Sequence, residues 1–193
     1  LVTILMNRPI VIDTNNWYDD LSYYLKKNKV HNALIITSKG AIKRFGLREL
    51  FTDVEIYYSV PSHPTDQDCQ IVIDYVSRKK IDCVIAIGGG SVMDVAKVVV
   101  ASLSTSIYNL KALLDVSDFD SNIFSIFIPT THGTGSEATK WGTIWETSNN
   151  KKISISNDSL YPNVALLDGN LCIDLPLEIS IISPKIISSI III

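Results

Sequence analysis

The stretch VIAIGGGSVMDVAKVVV, residues 84–100, decides how the chain is read. Four apolar residues, Val84, Ile85, Ala86 and Ile87, run into three glycines, Gly88, Gly89 and Gly90, and then into Ser91. Beyond Ser91, Val92, Val95, Ala96 and Val99 recur at helical spacing, with Asp94 and Lys97 interleaved. The pattern predicts a buried strand, a tight turn and the first turns of a helix. Glycine has no Cβ, so backbone at such a turn can come close to a ligand. The first amides of a helix lack intrahelical acceptors and carry partial positive charge, a setting that suits a phosphate. Ser91 is expected to cap that helix and add a hydroxyl donor. A strand-to-helix turn that binds nothing would carry the same glycines, and the spacing is neither GxGxxG nor GxxxxGK[ST].

Working outward, the same alternation of apolar run and helical spacing recurs. Residues 33–37, ALIIT, are a continuous apolar run of strand length, which fits a parallel strand covered on both faces. Ser38, Lys39 and Gly40 form the turn after it. Residues 41–51 read as a helix interrupted at Gly46, 54–58 as a strand, and Thr65 as the cap of a helix reaching about Arg78. The helix after Ser91 is expected to end near Leu103, and 122–128 is another apolar strand, ended by Pro129. At the start, residues 2–5 and 10–12 look like two short strands split by Asn7, Arg8 and Pro9, a hairpin; Asp13, Thr14 and Asn15 then cap a helix over 17–27. Alternating strands and helices predict an α/β fold with a parallel, Rossmann-like sheet and right-handed crossovers. A ligand then belongs beyond the carboxyl ends of the strands.

One of those ends carries PTTHGTGSE, residues 129–137. Four hydroxyls, two glycines and a histidine follow a strand, and such a segment can wrap a phosphate or ribose with backbone and hydroxyl donors. The plainer reading is a polar turn, with Glu137 and Thr139 starting a helix.

Together, GGGSVMDVAK (88–97) and PTTHGTGSEAT (129–139) resemble the paired motifs of the iron-containing alcohol dehydrogenases, within the dehydroquinate-synthase-like superfamily. YPNVALLD (161–168) and IDLP (173–176) resemble the segment that follows, so the likeness runs from about residue 8 to Glu178. The resemblance implies a nucleotide-binding α/β domain over 1–178, followed in the family by an all-helical domain, with the metal in the cleft between. It implies that Gly88, Gly89, Gly90 and Ser91 hold a pyrophosphate. Asp94 would orient the nicotinamide side. Thr130, Thr131 and Thr134 would contact the adenosine and phosphate portions, and Lys152 the ribose near the reacting ring. Asp94 as a solvated first-turn residue and Lys152 as a surface lysine are the plainer alternatives. In this family the turn after the first strand often carries an Asp that hydrogen-bonds the adenosine ribose and repels a 2′-phosphate. Ser38 beside Lys39 instead favours NADP over NAD. His132 departs from the family's usual small residue; it contacts phosphate, sits in the substrate cleft, or is a plain loop histidine. Trp141 and Trp145, four apart, either pack a helix or strand or line the cleft.

The family's metal, Fe or Zn, is held by one Asp and three His in the helical domain. After Glu178 this sequence has neither residue type. Residues 179–193, ISIISPKIISSIIII, read instead as an Ile/Ser-rich, low-complexity tail, a truncation or reading-frame change, too short to span a bilayer. Such a chain is expected to bind the cofactor without turning over. The function expected is therefore the nucleotide-binding part of an NAD(P) alcohol dehydrogenase or aldehyde reductase. The alternatives are a catalytically inactive dinucleotide-binding module, or a glycerol or polyol dehydrogenase-like, cyclase-type or phosphonoaldehyde reductase-like member of the superfamily. Relatives often pair through their N-terminal domains, which allows a homodimer.

Composition narrows the rest. With 193 residues and net charge −3, and lysines spread along the sequence, there is no electrostatic case for nucleic acid. Three scattered cysteines, Cys69, Cys83 and Cys172, form no CxxC pair, and His31, His63 and His132 form no HExxH. A reduced, cytoplasmic compartment is the simplest expectation. LVTILMNRP at the start is too short in apolar residues for a signal peptide.

Overall fold

Strands without polar alternation must be covered on both faces, and that requirement shapes the fold. A computed structural model of the chain describes residues 9–173. The strand expected over residues 2–5, Asp174 and the Ile/Ser-rich tail lie outside the described residues. Six strands form one parallel sheet: β1 (Ile10–Thr14), β2 (Ala33–Thr37), β3 (Glu55–Tyr57), β4 (Cys83–Gly88), β5 (Phe124–Pro129) and β8 (Val164–Asp168). They lie in the order β1-β8-β5-β4-β2-β3. β4, β5 and their neighbour β2 are the central strands, and every residue of β4 is buried.

Side chains of successive residues leave opposite faces of a strand. Leu34, Ile36, Val84, Ala86 and Phe127 pack with α4 (Asp66–Val76), α5 (Gly90–Thr105) and α6 (Leu110–Leu114). Ile35, Ile85, Ile87, Ile126 and Ile128 pack with Leu21 of α1 (Trp17–Lys27), Ile42 of α2 (Lys39–Arg44) and Leu47 of α3 (Leu47–Leu50). The expected parallel, two-faced α/β architecture is what the chain adopts. Thr65 caps α4 as expected, in a reciprocal box with Asp68. Gly46, at φ +56°, breaks the expected helix into α2 and α3, because the left-handed backbone ends one helix and starts the next.

β1 pairs in parallel with β8, Ile10 opposite Val164, and the other half of the expected hairpin, residues 2–5, lies outside the described residues. Three local expectations are corrected. Asn16 caps α1, since Thr14 ends β1 and holds the Asn16 amide through its hydroxyl. Ser38 is the cap of α2 rather than part of a free turn, accepting from the Ala41 amide at 3.2 Å. No α-helix starts at Glu137: residues Ser136–Ala138 make one 3₁₀ turn, and Thr139 is already extended.

The chain then leaves the sheet as an antiparallel hairpin, β6 (Trp141–Glu146) and β7 (Lys151–Ser156), turning near Asn150 at φ +48°. The hairpin lies on α5. Gly142 makes that approach: a Cβ there would stand 2.9 Å from the Asp94 carbonyl oxygen and 3.2 Å from Lys97 Cβ. Gly142→Ala is expected to cost about 1–3 kcal/mol as an overpacked contact against backbone. Urea denaturation measures it, and an unchanged midpoint would contradict this packing.

Candidate functional site

Parallel pairing sets Thr37 opposite Ile87 and Gly88 opposite Pro129, so the segments after β2, β4 and β5 leave the same end of the sheet side by side. Buried Thr37 ties the first two ends together, its hydroxyl donating to the Ile87 carbonyl at 2.7 Å. The Thr130 amide ties the second to the third, donating to the Gly88 carbonyl at 2.9 Å. The glycine turn and the threonine-rich loop then touch. A Cβ on Gly89 would stand 3.0 Å from Thr131 Oγ1, and one on Gly90 would stand 3.1 Å from Thr134 Cγ2. The glycines therefore admit the neighbouring loop. Gly88 is tightest, since its Cβ would fall 2.6 Å from Val92 Cγ2. Gly133 and Gly135 bend the loop through left-handed backbone, at φ +94° and +62°.

α5 opens at this junction with Gly89 as its N-cap and no side chain capping it. Ser91 is not the cap: it lies inside the first turn, and its hydroxyl donates to the Ser62 carbonyl. The first amides of α5, lacking intrahelical acceptors, face the junction with the positive end of a 16-residue helix behind them.

Asp94, one turn further on, is not a solvated surface residue. It accepts from Ser136 Oγ at 2.9 Å. Burial pushes its carboxyl up, against Lys97, the Ser136 hydroxyl, the Thr143 amide and Lys152, which all favour the charged form. Lys152 is exposed on β7, opposite Trp145, with its ammonium 5.2 Å from the indole centre. Trp145 and the half-exposed Trp141 belong to β6, so the two indoles sit on a strand. Asp94, Thr134 and Gly90 thus cluster about the junction, with Lys152 close enough to act on the Asp94 charge. Ser38 stands at the adjoining β2 end. Next to it a cavity of about 750 Å³ is lined by Lys39, Lys43, Arg48 and Glu49, with Arg48 stacked 4.7 Å from the Tyr58 ring centre. His132 is exposed and belongs to the loop surface.

Sequence reasoning missed Lys97. It is 0% exposed, and its ammonium donates to the Ser136 carbonyl, the Ser136 and Thr139 hydroxyls and the Trp141 carbonyl. Burial pulls its pKa down to about 8, while Asp94 and Glu137 hold it up. Glu137 is itself pushed up by burial, and its Oε2 has no hydrogen-bond partner among the described residues. The signal was available: residues 92–101 are apolar apart from Asp94 and Lys97, so α5 has no broad watery side for a lysine.

The family model described as iron-containing alcohol dehydrogenase matches residues 9–169. The chain belongs to the iron-containing alcohol dehydrogenase family. It is 29% identical over 178 residues to an aldehyde-alcohol dehydrogenase of Streptococcus pneumoniae, covering 82% of this chain and 20% of that one. The NADH-dependent butanol dehydrogenase A of Thermotoga maritima has the same fold, with TM-score 0.79 and 20% identity, over 91% of this chain and 46% of that one. So does the sulfoacetaldehyde reductase of Bifidobacterium kashiwanohense, solved with NAD+, with TM-score 0.76 and 21% identity, over 89% and 47%. The chain therefore spans from a fifth to just under half of these relatives.

For a family named after iron, the described residues offer no fit to the metal. Among them no three His, Cys, Asp or Glu come together in a way that could hold an ion. Asp168 instead serves the fold, accepting from the Trp17 and Asn170 amides at 3.3 and 2.9 Å. No helix among the described residues is long and apolar enough to cross a membrane. The junction itself is testable. Gly90→Ala should destabilise the chain by about 1–3 kcal/mol. Adding Thr134→Ser, which removes the Cγ2 nearest the new methyl, should recover at least about 0.5 kcal/mol of that loss in a double-mutant cycle. Strict additivity in urea denaturation would mean that the two segments do not touch.

Proposed function

We propose that this chain is the nucleotide-binding part of an NAD(P)-dependent alcohol dehydrogenase or aldehyde reductase, and that it binds the dinucleotide across the junction of the two loops. The contact of Gly89 and Gly90 with Thr131 and Thr134 carries the reading. It makes one continuous surface from an uncapped helix start and a hydroxyl-rich loop, at neighbouring strand ends where α/β sheets hold ligands. In this reading the amides of Gly89, Gly90 and Ser91, after Gly88, hold the diphosphate, with Thr130, Thr131 and Thr134 closing on it. Asp94 and Lys152 stand toward the nicotinamide ribose. When bound, the nicotinamide ring supplies hydride transfer to or from a small alcohol or aldehyde; the residues of this chain bind and orient it. The metal that would polarise the alcohol oxygen, Fe or Zn, has no ligand set among the described residues, and residues 179–193 hold no Asp or His. We therefore expect binding without turnover, the behaviour of a dinucleotide-binding module.

The cationic cavity beside Ser38 favours NADP over NAD. A 2′-phosphate placed there would meet the three cations Lys39, Lys43 and Arg48 against the single carboxylate of Glu49, and Ser38 adds no second carboxylate to repel it. NADPH should bind about tenfold more tightly than NADH, the worth of one further charge-assisted contact, about 1.4 kcal/mol. Lys43→Glu should erase that margin while leaving NADH binding unchanged. Calorimetric titration reads both, and equal or tighter NADH binding to the unaltered chain would remove the argument. NADPH oxidation with short aldehydes and added Fe(II) or Zn(II) should be absent; turnover would contradict the module reading. A homodimer and a cytoplasmic location are consistent with this role, and nucleic acid and membrane partners are not part of it.

A further inference from the structure

A lysine buried in a mostly apolar helix is costly for folding, since several kcal/mol are lost on removing an ammonium from water. An unbranched apolar side chain of similar length would fill the same space without that cost. Lys97 therefore has to be explained by what its ammonium gathers. All four of its acceptors belong to one short segment: the Ser136 carbonyl at 2.8 Å, Ser136 Oγ at 2.9 Å, Thr139 Oγ1 at 3.0 Å and the Trp141 carbonyl at 2.8 Å. Asp94 holds the same Ser136 hydroxyl from the preceding turn of α5.

That segment is the descending leg of the threonine-rich loop. The ascending leg is fixed by β5 and by the Thr130 amide on Gly88. Between the legs, Gly133 and Gly135 bend the backbone through left-handed φ, and the bonds that hold the bend are local, Ser136 N to Thr134 Oγ1 at 3.4 Å and Ala138 N to the Gly135 carbonyl at 2.9 Å. Lys97 lies seven residues after Gly90, about 10 Å along the helix at 1.5 Å per residue. One rigid helix thus carries both the turn that Thr134 touches and the side chain that ties down the far leg of Thr134's loop.

We infer that Lys97 is a positioning residue: from inside α5 it latches the 136–141 segment, and so holds Thr131 and Thr134 against the glycine turn before any ligand arrives. The inference rests on the proposed reading of the junction as a dinucleotide site, and adds the residue that preorganises it. Preorganisation spares a ligand the cost of ordering the loop, so loss of the latch weakens binding without removing any group that touches the ligand.

The test compares the unaltered chain with Lys97→Met and, in case that variant fails to fold, with the milder Ser136→Ala and Thr139→Val. Two readouts are taken well below the unfolding midpoint. In the free chain, hydrogen exchange of the Ala138 and Thr139 amides, which close the 3₁₀ turn, should quicken at least tenfold, while β4 and β5 amides keep their protection. In titrations, the Kd for NADPH should rise about tenfold, whereas that for 2′-AMP, which lacks the diphosphate bridge, should stay within twofold. Equal exchange, or an unchanged Kd for NADPH in a folded variant, overturns the latch. Parallel losses for NADPH and 2′-AMP overturn it too, since they mark general loosening. If the unaltered chain binds no dinucleotide, the proposed site falls first, and the exchange result then shows whether Lys97 still orders the loop.

Discussion

The backbone of the glycine turn and the threonine side chains of the neighbouring loop can meet only because no Cβ stands between them, and the candidate site depends on that constraint. The glycine turn after β4 and the threonine loop after β5 leave adjacent parallel strands, so their starting points are about one strand spacing apart. Any side chain on Gly89 or Gly90 would push Thr131 or Thr134 away. With hydrogen in those places, the uncapped start of α5 and the hydroxyl-rich loop come into contact. The rest of the sheet can be seen as support for this: β4 is wholly buried, and Thr37 and Thr130 pin the strand ends in register.

Below the junction the structure accepts a buried charge. Lys97, Asp94, Ser136 and the Thr143 amide form a connected polar cluster between α5, the 3₁₀ turn and β6. Buried polar networks that are fully satisfied specify one geometry more sharply than apolar packing does, at some cost in stability. Gly142 lets β6 close over that cluster, and Lys152 on β7 adds a positive charge beyond Asp94. The hairpin is thus part of the site's frame and not an appendage of the sheet.

Much of this was legible in the residues, because the signals were local. Apolar runs marked β2, β4 and β5; Thr65 marked the start of α4; Gly46 marked a break. The loops after β4 and β5 were read as partners from their order and donor content, and strand adjacency brings them together. What escaped was set by distant partners. Nothing local tells β1 that its neighbour is β8, more than 140 residues on, so that pairing could not be read from the sequence. Ser91 has the right chemistry for a cap, but the Ser62 carbonyl competes for its hydroxyl. The β6–β7 hairpin left a readable trace in the alternation of KKISIS and the Asn149-Asn150 pair, yet the two tryptophans were read for packing or for lining the cleft, not as part of a hairpin. Lys97 was read by type, as an interleaved polar residue, when its neighbours already described a helix with no dry and wet sides.

The central claim is that one diphosphate is gripped by both turns at once. A titration of the isotopically labelled chain with NADPH, followed through backbone amide resonances, tests it most directly. The account predicts that the amides of Gly89, Gly90 and Ser91 and those of Thr130, Thr131 and Thr134 shift together, along a single binding curve, while amides at the opposite ends of the strands stay still. Shifts confined to one of the two turns, or centred at the other end of the sheet around Tyr24 and Tyr161, where a second cavity of about 610 Å³ lies, would contradict it.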